Sequence, residues 1–338
     1  MNMECDMMLK VGKLDSELLE NIVFRNIRFR RPEVLTRPGI GEDCAVIDYG
    51  SYECVMSTDP ITAAISDIGR LSVHISCNDI ASNGVEPIAI MLTVLLPEGT
   101  REEDVEEIMK QAAKASEELE VEIIGGHTEI TAAVSKPIIV STAVGRGEKW
   151  AFQHAENMKA GDFILMTKSA GLEGAGIIAC DFQKELKEIL SREELDTAKN
   201  FMKQISVVKE GVAAGKLGTS GMHDVTEGGI LGAVWELCRI GRVGAEVWVD
   251  KVPVEDVTKK ICDRFDIDYL RLISSGCMMI IAPRSKKEAL MDAVESAGVG
   301  VTCIGEIQTE DYGVKMKVAE ELMEIAPPSS DEIYKVVR

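Results

Sequence analysis

The sequence predicts an α+β protein of two domains, and three observations lead to this class. A chain of 338 residues with 46% hydrophobic content can bury a full core, and this length favours two domains over one. Predicted strands and helices alternate along both halves of the chain. Residues 145–161 separate the two series. We therefore expect an N-terminal domain at residues 1–146 and a C-terminal domain at 155–338.

The N-terminal elements follow from apolar spacing and from end signals. Apolar residues at helical spacing between Leu14 and Val23 predict an opening helix. A second helix, which begins near Ile68, ends at Asn83-Gly84, a combination typical of a helix C-terminus. A third begins at a capping box formed by Thr100 and Glu103. The strands predicted here are residues 44–48, 52–57, 88–96, 121–124 and 137–144.

The C-terminal elements include two turns that contain glycine. The first turn, residues 168–176, follows a predicted strand, and the second, residues 223–229, precedes an apolar helix. A capping box of Ser191 and Glu194 marks the start of another helix. The helices predicted here are residues 175–189, 192–204, 230–240 and 286–297, and the strands are 163–167, 245–249, 278–282 and 300–304.

Composition excludes several classes of function. The net charge of −20 repels phosphate backbones, so we expect no nucleic-acid partner. The longest apolar run, Pro87 to Leu96, is far shorter than the roughly 20 residues of a membrane span, and the chain starts without a leader pattern. Nine cysteines without a C-x-x-C pair indicate reduced thiols. A cytoplasmic protein is therefore expected.

Four short acidic segments in the first 130 residues are the main functional signal. They lie where predicted strands or helices end, and they contain Asp43, Asp59, Asp79 and Glu129. Mg²⁺ binds a few carboxylate oxygens and leaves its other positions to water and substrate phosphates. A nucleotide site is thus the leading interpretation, although turns and caps explain Asp43 and Asp59 equally well when each is taken alone.

Asp79 is the most informative of these carboxylates. It follows Leu71 and Ile75 on the helical stripe that should face the core. Because a buried unpaired carboxylate costs several kcal/mol, it needs a cation or strong donors. Backbone amides near the helix end are the ordinary alternative to a metal ion.

The glycine turns are weaker signals for phosphate binding. Gly125 and Gly126 would let backbone amides approach an anion, with His127 beside them. The turn that runs from Lys168 through Gly174 lacks the G-K-[ST] of a Walker A loop, but a helix N-terminus there could still face a phosphate. Hairpin and packing roles explain both turns as well.

Seven segments taken in chain order resemble the aminoimidazole ribonucleotide (AIR) synthase superfamily. The resemblance covers about residues 39–305 and looks closest to the hydrogenase maturation factor HypE and to AIR synthase-related proteins. The segments are Gly-Glu-Asp-Cys-Ala-Val (41–46), Ser-Thr-Asp (57–59), Asn-Asp-Ile-Ala-Ser-Asn-Gly-Val-Glu-Pro (78–87), Gly-Gly-His-Thr-Glu (125–129), Gly-Asp-Phe-Ile-Leu (161–165), His-Asp-Val-Thr-Glu-Gly-Gly-Ile (223–230) and Ser-Ser-Gly-Cys-Met-Met-Ile (274–280).

The resemblance implies a PurM-like architecture, an N-terminal domain that dimerises, and ATP with Mg²⁺ as cofactors. The metal ligands it implies are Asp43, Asp59 and Asp79. The nucleotide contacts it implies, together with the glycine turns, are Asn78, Gly125, Gly126, His127, Lys168 and Gly174. The residues it implies near the substrate are His223, Asp224 and Thr226.

The function that follows is an ATP- and Mg²⁺-dependent enzyme that activates a carbonyl, carbamoyl or phosphate oxygen of a small molecule or a carrier protein. Two alternatives are a nucleotide-binding accessory protein in hydrogenase metallocentre maturation, and a small-molecule kinase of the thiamine-monophosphate kinase type. The chain departs from the HypE pattern because it ends without the reactive cysteine, and His127 stands where relatives have an aspartate.

A homodimer is expected from the strand at 88–96. Residues on both of its faces are largely apolar, and two helices can cover only one face of the sheet. The alternative to a dimer is that the C-terminal domain of the same chain covers this face of the sheet. The alternation predicts that Val94 is part of the dimer face.

Overall fold

A computed structural model describes residues 9, 14, 16–62, 67–149, 155–328 and 330–337. It contains two units, each built on one mixed sheet with helices, and this confirms the predicted two-domain α+β class. The opening helix runs through α1 (Ser16–Leu18), a π-helical segment (Leu19–Val23) and a 3-10 turn (Phe24–Asn26). Leu14 and the residues before it add no described helix.

The first unit has a six-stranded sheet in the order β1-β2-β3-β6-β4-β5. Its strands are β1 (Val34–Thr36), β2 (Ala45–Asp48), β3 (Tyr52–Ile61), β4 (Pro87–Leu96), β5 (Glu122–Ile130) and β6 (Ile138–Glu148). All neighbours are antiparallel except β4 and β5, which are parallel. The helices α2 (Ile68–Ser82) and α3 (Glu102–Leu119) pack together, and α2 contacts β3 and β6.

The second unit has a seven-stranded sheet in the order β13-β12-β9-β11-β7-β10-β8. Its strands are β7 (Phe163–Thr167), β8 (Gly221–Asp224), β9 (Gly244–Trp248), β10 (Met278–Ala282), β11 (Val301–Gln308), β12 (Val314–Val318) and β13 (Glu321–Glu324). Its helices are α4 (Leu172–Asp181), α5 (Gln183–Leu186), α6 (Arg192–Asn200), α7 (Val208–Leu217), α8 (Gly229–Gly241), α9 (Asp256–Phe265) and α10 (Lys287–Ser296).

The helix α2 joins the two units. It contacts α7 and β8 of the second unit, and Val208 of α7 belongs to the hydrophobic core of the first. Asn78 on α2 accepts a hydrogen bond from the Val207 amide at 2.9 Å and donates one to the Ile205 carbonyl at 2.7 Å. Residues of α2 near its C-terminus therefore lie at the junction of the two units.

Several predicted elements need correction. The turn expected at Gly125 and Gly126 is wrong, because both residues lie inside β5. A Cβ atom at Gly126 would lie 1.8 Å from the Leu92 carbonyl oxygen of β4, so close strand packing, and not a turn, requires glycine there. The capping box begins one residue later than predicted, with Arg101 as N-cap and Asp104 at N3, whereas that of Ser191 and Glu194 is confirmed.

One face of the first sheet is open, and the choice of Val94 for it was wrong. Val94 is 1% exposed and packs under the helices, whereas Ile88 and Met91 are each 45% exposed on the same strand. A register shift between Pro87 and Ala89, where β4 pairs with β6, accounts for the exposure of Ile88, which regular alternation would place on the buried face of Val94, and the sequence pattern did not reveal it.

Candidate active site

A cluster of four carboxylates lies where α2 meets the second unit. It consists of Asp43 just before β2, Asp59 near the end of β3, Asp79 on α2 and Asp224 at the end of β8. The first three come from separate acidic segments of the first unit, and the structure brings them together with one from the second. We refer to these four side chains as the acidic cluster.

Asp79 lies at the centre of the acidic cluster and is 3% exposed. Burial raises its pKa well above the usual range, and the charges of Asp224, Asp59 and Asp43 raise it further, together with a hydrogen bond to Asp59. Ser57 on β3 donates a hydrogen bond to Asp79 Oδ2, and this fixes the orientation of the carboxylate. No ion pair joins Asp59 or Asp79 to a lysine or arginine among the residues that the structure describes.

The buried thiol of Cys44 lies close to the acidic cluster and is affected by its negative charge. Its thiol donates a hydrogen bond to the Asp79 carbonyl at 3.3 Å. Burial raises the pKa of the Cys44 thiol well above its usual value, and all four carboxylates of the acidic cluster raise it further. The thiol is therefore held protonated, as a buried packing group without nucleophilic character.

His223 adjoins the acidic cluster on β8 and is 5% exposed. Its Nδ1 donates a hydrogen bond to the Asp224 carbonyl at 2.5 Å, while Nε2 lies 3.6 Å from both Asp43 Oδ2 and Glu236 Oε2. Burial acts to lower the pKa of His223, but Asp43, Glu236 and Asp224 outweigh it and raise the pKa to about 9. Thr226 follows in the half-buried connection to α8.

Three residues expected to contact the nucleotide have other partners. Asn78 uses its amide to join the two units, as described above. Lys168 donates to the Ser206 and Gly276 carbonyls, each at 2.7 Å, and to Glu210 at 2.5 Å, so its three donors are engaged inside the protein. Gly174 lies in α4, where a Cβ atom would meet Leu272 at 2.4 Å, which explains the glycine by packing.

His127 is placed differently from the acidic cluster. It lies on the edge strand β5 opposite Thr93, with its side chain exposed and 3.2 Å from Glu129. It therefore belongs to the open face of the first sheet, where Gly125 also lies opposite the exposed Met91.

The residues missed at the sequence level are Ser57, Cys44 and Glu236. Ser57 and Cys44 occur inside the quoted segments, so their neighbours in the sequence already pointed to them. Glu236 lies on the apolar helix α8, and a single acidic residue on a helix gives no signal of a partner on another element.

Comparisons with known proteins agree with this architecture. A family model described as AIR synthase related protein, N-terminal domain, matches residues 41–147, and its C-terminal counterpart matches residues 159–317. A protein of Methanocaldococcus jannaschii whose name refers to hydrogenase expression and formation is 28% identical over 96% of this chain and 97% of its own. The carbamoyl dehydratase HypE of Bradyrhizobium diazoefficiens is 26% identical over 80% of this chain and 79% of its own.

Solved structures share the fold. HypE in a complex with HypF aligns with a TM-score of 0.75 at 21% identity, over 92% of this chain and 99% of that one. ThiL bound to AMPPCP and TMP aligns with a TM-score of 0.74 at 18% identity, over 95% of this chain and 99% of that one. HypE in complex with ATP aligns with a TM-score of 0.67 at 20% identity, over 96% and 97%.

Proposed function

The chain belongs to the AIR synthase related protein family, and we propose that it is an ATP- and Mg²⁺-dependent enzyme that activates a carbonyl, carbamoyl or phosphate oxygen. The observation that carries this proposal is Asp79, a buried carboxylate among three others. Such a group is costly unless a cation balances it. The HypE and ThiL structures named above bind ATP or AMPPCP, which supports a nucleotide as the ligand that accompanies the cation.

The residues present fit Mg²⁺. The acidic cluster offers only oxygen ligands, which suit a hard cation, and Asp43, Asp59 and Asp79 would hold the ion with Asp224 beside them. When bound, Mg²⁺ would hold phosphate oxygens and neutralise their charge.

The protein's own groups would position the reactants. Ser57 on β3 donates a hydrogen bond to Asp79 on α2, so this carboxylate is already oriented before a cation binds. Gly125, Gly126 and His127 remain candidates for nucleotide contact because they lie on an edge strand. His223, Asp224 and Thr226 would face the substrate from the second unit.

Calorimetric titration with ATP and Mg²⁺, together with an assay of ADP and phosphate release, tests this function. We expect binding that requires Mg²⁺ and that is lost in Asp59→Asn. Asp48→Asn serves as the control, because Asp48 pairs with Lys149 on the surface. A wild-type protein that binds no nucleotide would contradict the proposal.

Turnover separates the proposal from its alternatives. Binding without ADP release across carbamoyl, formyl and phosphate compounds would favour an accessory protein in hydrogenase maturation, and the names of two relatives refer to hydrogenase expression and formation. Transfer of phosphate to the product, without release of inorganic phosphate, would favour a kinase of the thiamine-monophosphate type, whose fold this chain shares.

A homodimer through the open face of the first sheet is part of the same proposal. Ile88 and Met91 on β4 are each 45% exposed there, Ile124 on the neighbouring strand β5 is 53% exposed, and apolar patches of this kind mark partner surfaces. Sedimentation should give twice the 36.9 kDa chain mass, and Met91→Lys should yield monomers. The control is Leu322→Lys on β13, which is 51% exposed in the second unit, and a dimer that survives Met91→Lys would reject this interface.

A cytoplasmic location is also proposed. All eight cysteines that the structure describes are free thiols, as expected in a reducing compartment. Among the described residues, the helices are all too short or too polar to cross a bilayer.

A further inference from the structure

A large cavity lies beside the acidic cluster, between α8, β12 and the segment that precedes β2. Its volume is about 1220 Å³, which is ample for a small molecule. Glu42 and Ile240 line this large cavity and also a small one of about 20 Å³, which is lined by Asp43 and His223 as well. The two spaces therefore adjoin, and a ligand in the large cavity lies next to a residue of the acidic cluster.

One wall of the large cavity is a face of α8 that carries positive charge. Trp235, Arg239 and Arg242 all line the cavity, and their spacing of i, i+4 and i+7 places them on the same side of the helix and its C-terminal cap. Arg37 lines the cavity from the segment that precedes β2. Three guanidinium groups from two separate parts of the chain thus border one space.

These three arginines are not neutralised by neighbouring carboxylates. Among the described residues, Arg37, Arg239 and Arg242 take part in no ion pair, and neither do the glutamates that line the same cavity, Glu20, Glu42, Glu156 and Glu310. Arg37 donates one hydrogen bond, to the Arg31 carbonyl at 3.2 Å. Because a chain of net charge −20 repels anions, arginines without an acidic partner are the groups that can hold an anion here.

From these observations we infer that the large cavity binds a small molecule with a carboxylate or phosphate group, and that Arg37, Arg239 and Arg242 hold that group. A guanidinium donates two parallel hydrogen bonds to either anion. Glu42 and Asp43 concentrate negative charge where the two cavities adjoin, so the anionic group lies at the arginines and the uncharged carbonyl end faces the acidic cluster. This inference rests on the proposed function and names its substrate class.

The ordinary explanation for Arg239 and Arg242 is that cations are favourable at a helix C-terminus. Arg37 has no such explanation, because it lies outside α8 and yet lines the same cavity. A test must therefore separate ligand binding from a contribution of these arginines to the stability of the helix.

Titration calorimetry without nucleotide, at low ionic strength, tests the site with succinamate and phosphonoacetamide as probes. Each probe has one amide carbonyl and one anionic group, a carboxylate in the first and a phosphonate in the second, and acetamide is the neutral control. We expect at least one anionic probe to bind and acetamide not to bind. Arg239→Gln should weaken binding of that probe by about tenfold or more, the effect of losing a hydrogen bond to a charged group.

Arg242→Gly separates ligand binding from stability. Arg242 follows α8 in the left-handed region, with φ of 51°, which glycine adopts freely. The variant should therefore keep the Tm of the wild type while it binds the probe about tenfold more weakly, again because a hydrogen bond to a charged group is lost. The matched control is Glu120→Gly, which makes the same change at the end of α3, where φ is 56°, and should leave probe binding unchanged.

The inference is overturned if neither anionic probe binds more tightly than acetamide, or if Arg239→Gln and Arg242→Gly both bind as the wild type does. In the second case the arginines serve only the C-terminus of α8. Binding of one probe alone supports the inference and identifies the anion as a carboxylate or a phosphate. Because no nucleotide is present, a protein that binds Mg²⁺–ATP but neither probe contradicts this inference alone, and one that binds a probe but no Mg²⁺–ATP contradicts only the proposed function.

Discussion

Two buried groups of charged side chains in this molecule differ in how their charge is balanced. Around Lys168, the ammonium group has three acceptors, one of them the carboxylate of Glu210, which is 1% exposed. In the acidic cluster, four carboxylates adjoin one another, and Asp79 is 3% exposed. The charge of Lys168 is balanced within the protein, whereas the acidic cluster brings several negative charges together.

This difference in charge balance shows which of the residues selected from the sequence can bind a ligand. Lys168 follows a strand and precedes a glycine-bearing turn, a position that suggests phosphate binding, yet its donors are engaged. The carboxylates of Asp59 and Asp79 have no described lysine or arginine partner, so an external cation improves their environment. Burial alone does not distinguish structural from functional residues here, but the balance of charge around each residue does.

The largest effect is expected for Lys168→Met. It leaves Glu210 buried without its cation, and breaking a buried pair in this way costs about 3–5 kcal/mol of unfolding free energy. Urea denaturation measures this loss. The control is Lys260→Met, which removes the partner of Glu194 in an exposed pair and should change little. A loss of stability no greater than that of the control would show that the Lys168 group is not needed for the fold.

A smaller effect of opposite sign is expected for Asp79→Asn in the absence of metal. The folded state raises the pKa of Asp79, so its contribution to stability is present below the ordinary pKa of about 4 and is lost as pH rises through the folded value. In EDTA, wild-type protein should therefore lose stability from pH 5 to pH 8 more steeply than Asp79→Asn. Equal slopes would mean that Asp79 is not the strained group.

The smallest effect concerns Glu173, a buried carboxylate on α4 outside both groups. Burial raises its pKa to about 7, against the opposing hydrogen bond from Ser275. Its contribution to stability is full below about pH 4.5 and is lost as pH rises through about 7. Glu173→Gln should flatten the pH dependence in that window, and Mg²⁺ should not alter the difference between variant and wild type, since Glu173 is balanced by a proton. A Mg²⁺-dependent difference would place it in the metal site.

Local patterns predicted much of this fold because they depend on neighbours in sequence. The helical stripe that carries Leu71, Ile75 and Asp79 is α2, and the capping box at Ser191 begins α6. The strand that contains Gly125 was missed beyond Ile124, because close packing on β4 overrides the turn preference of two glycines.

The candidate site was less accessible to prediction, since its partners lie far apart in the chain. Asn78 is 127 residues from Ile205, and Lys168 is 108 residues from Gly276, so nothing local shows that their polar groups are engaged. The family resemblance places Asp224 near the substrate, and only the fold shows that it is also close to Asp79. Charges that converge from separate elements need the tertiary structure.

The central claim is that Mg²⁺–ATP binds at the acidic cluster, and ligand-dependent thermal unfolding tests it most directly. A ligand at about 100 times its Kd adds about 2.7 kcal/mol to the stability of a protein that binds it only when folded. We expect Mg²⁺–ATP, but not ATP with EDTA, to raise the Tm of wild type and of Glu173→Gln, and to leave the Tm of Asp79→Asn unchanged. An increase for Asp79→Asn equal to that of wild type would contradict the account.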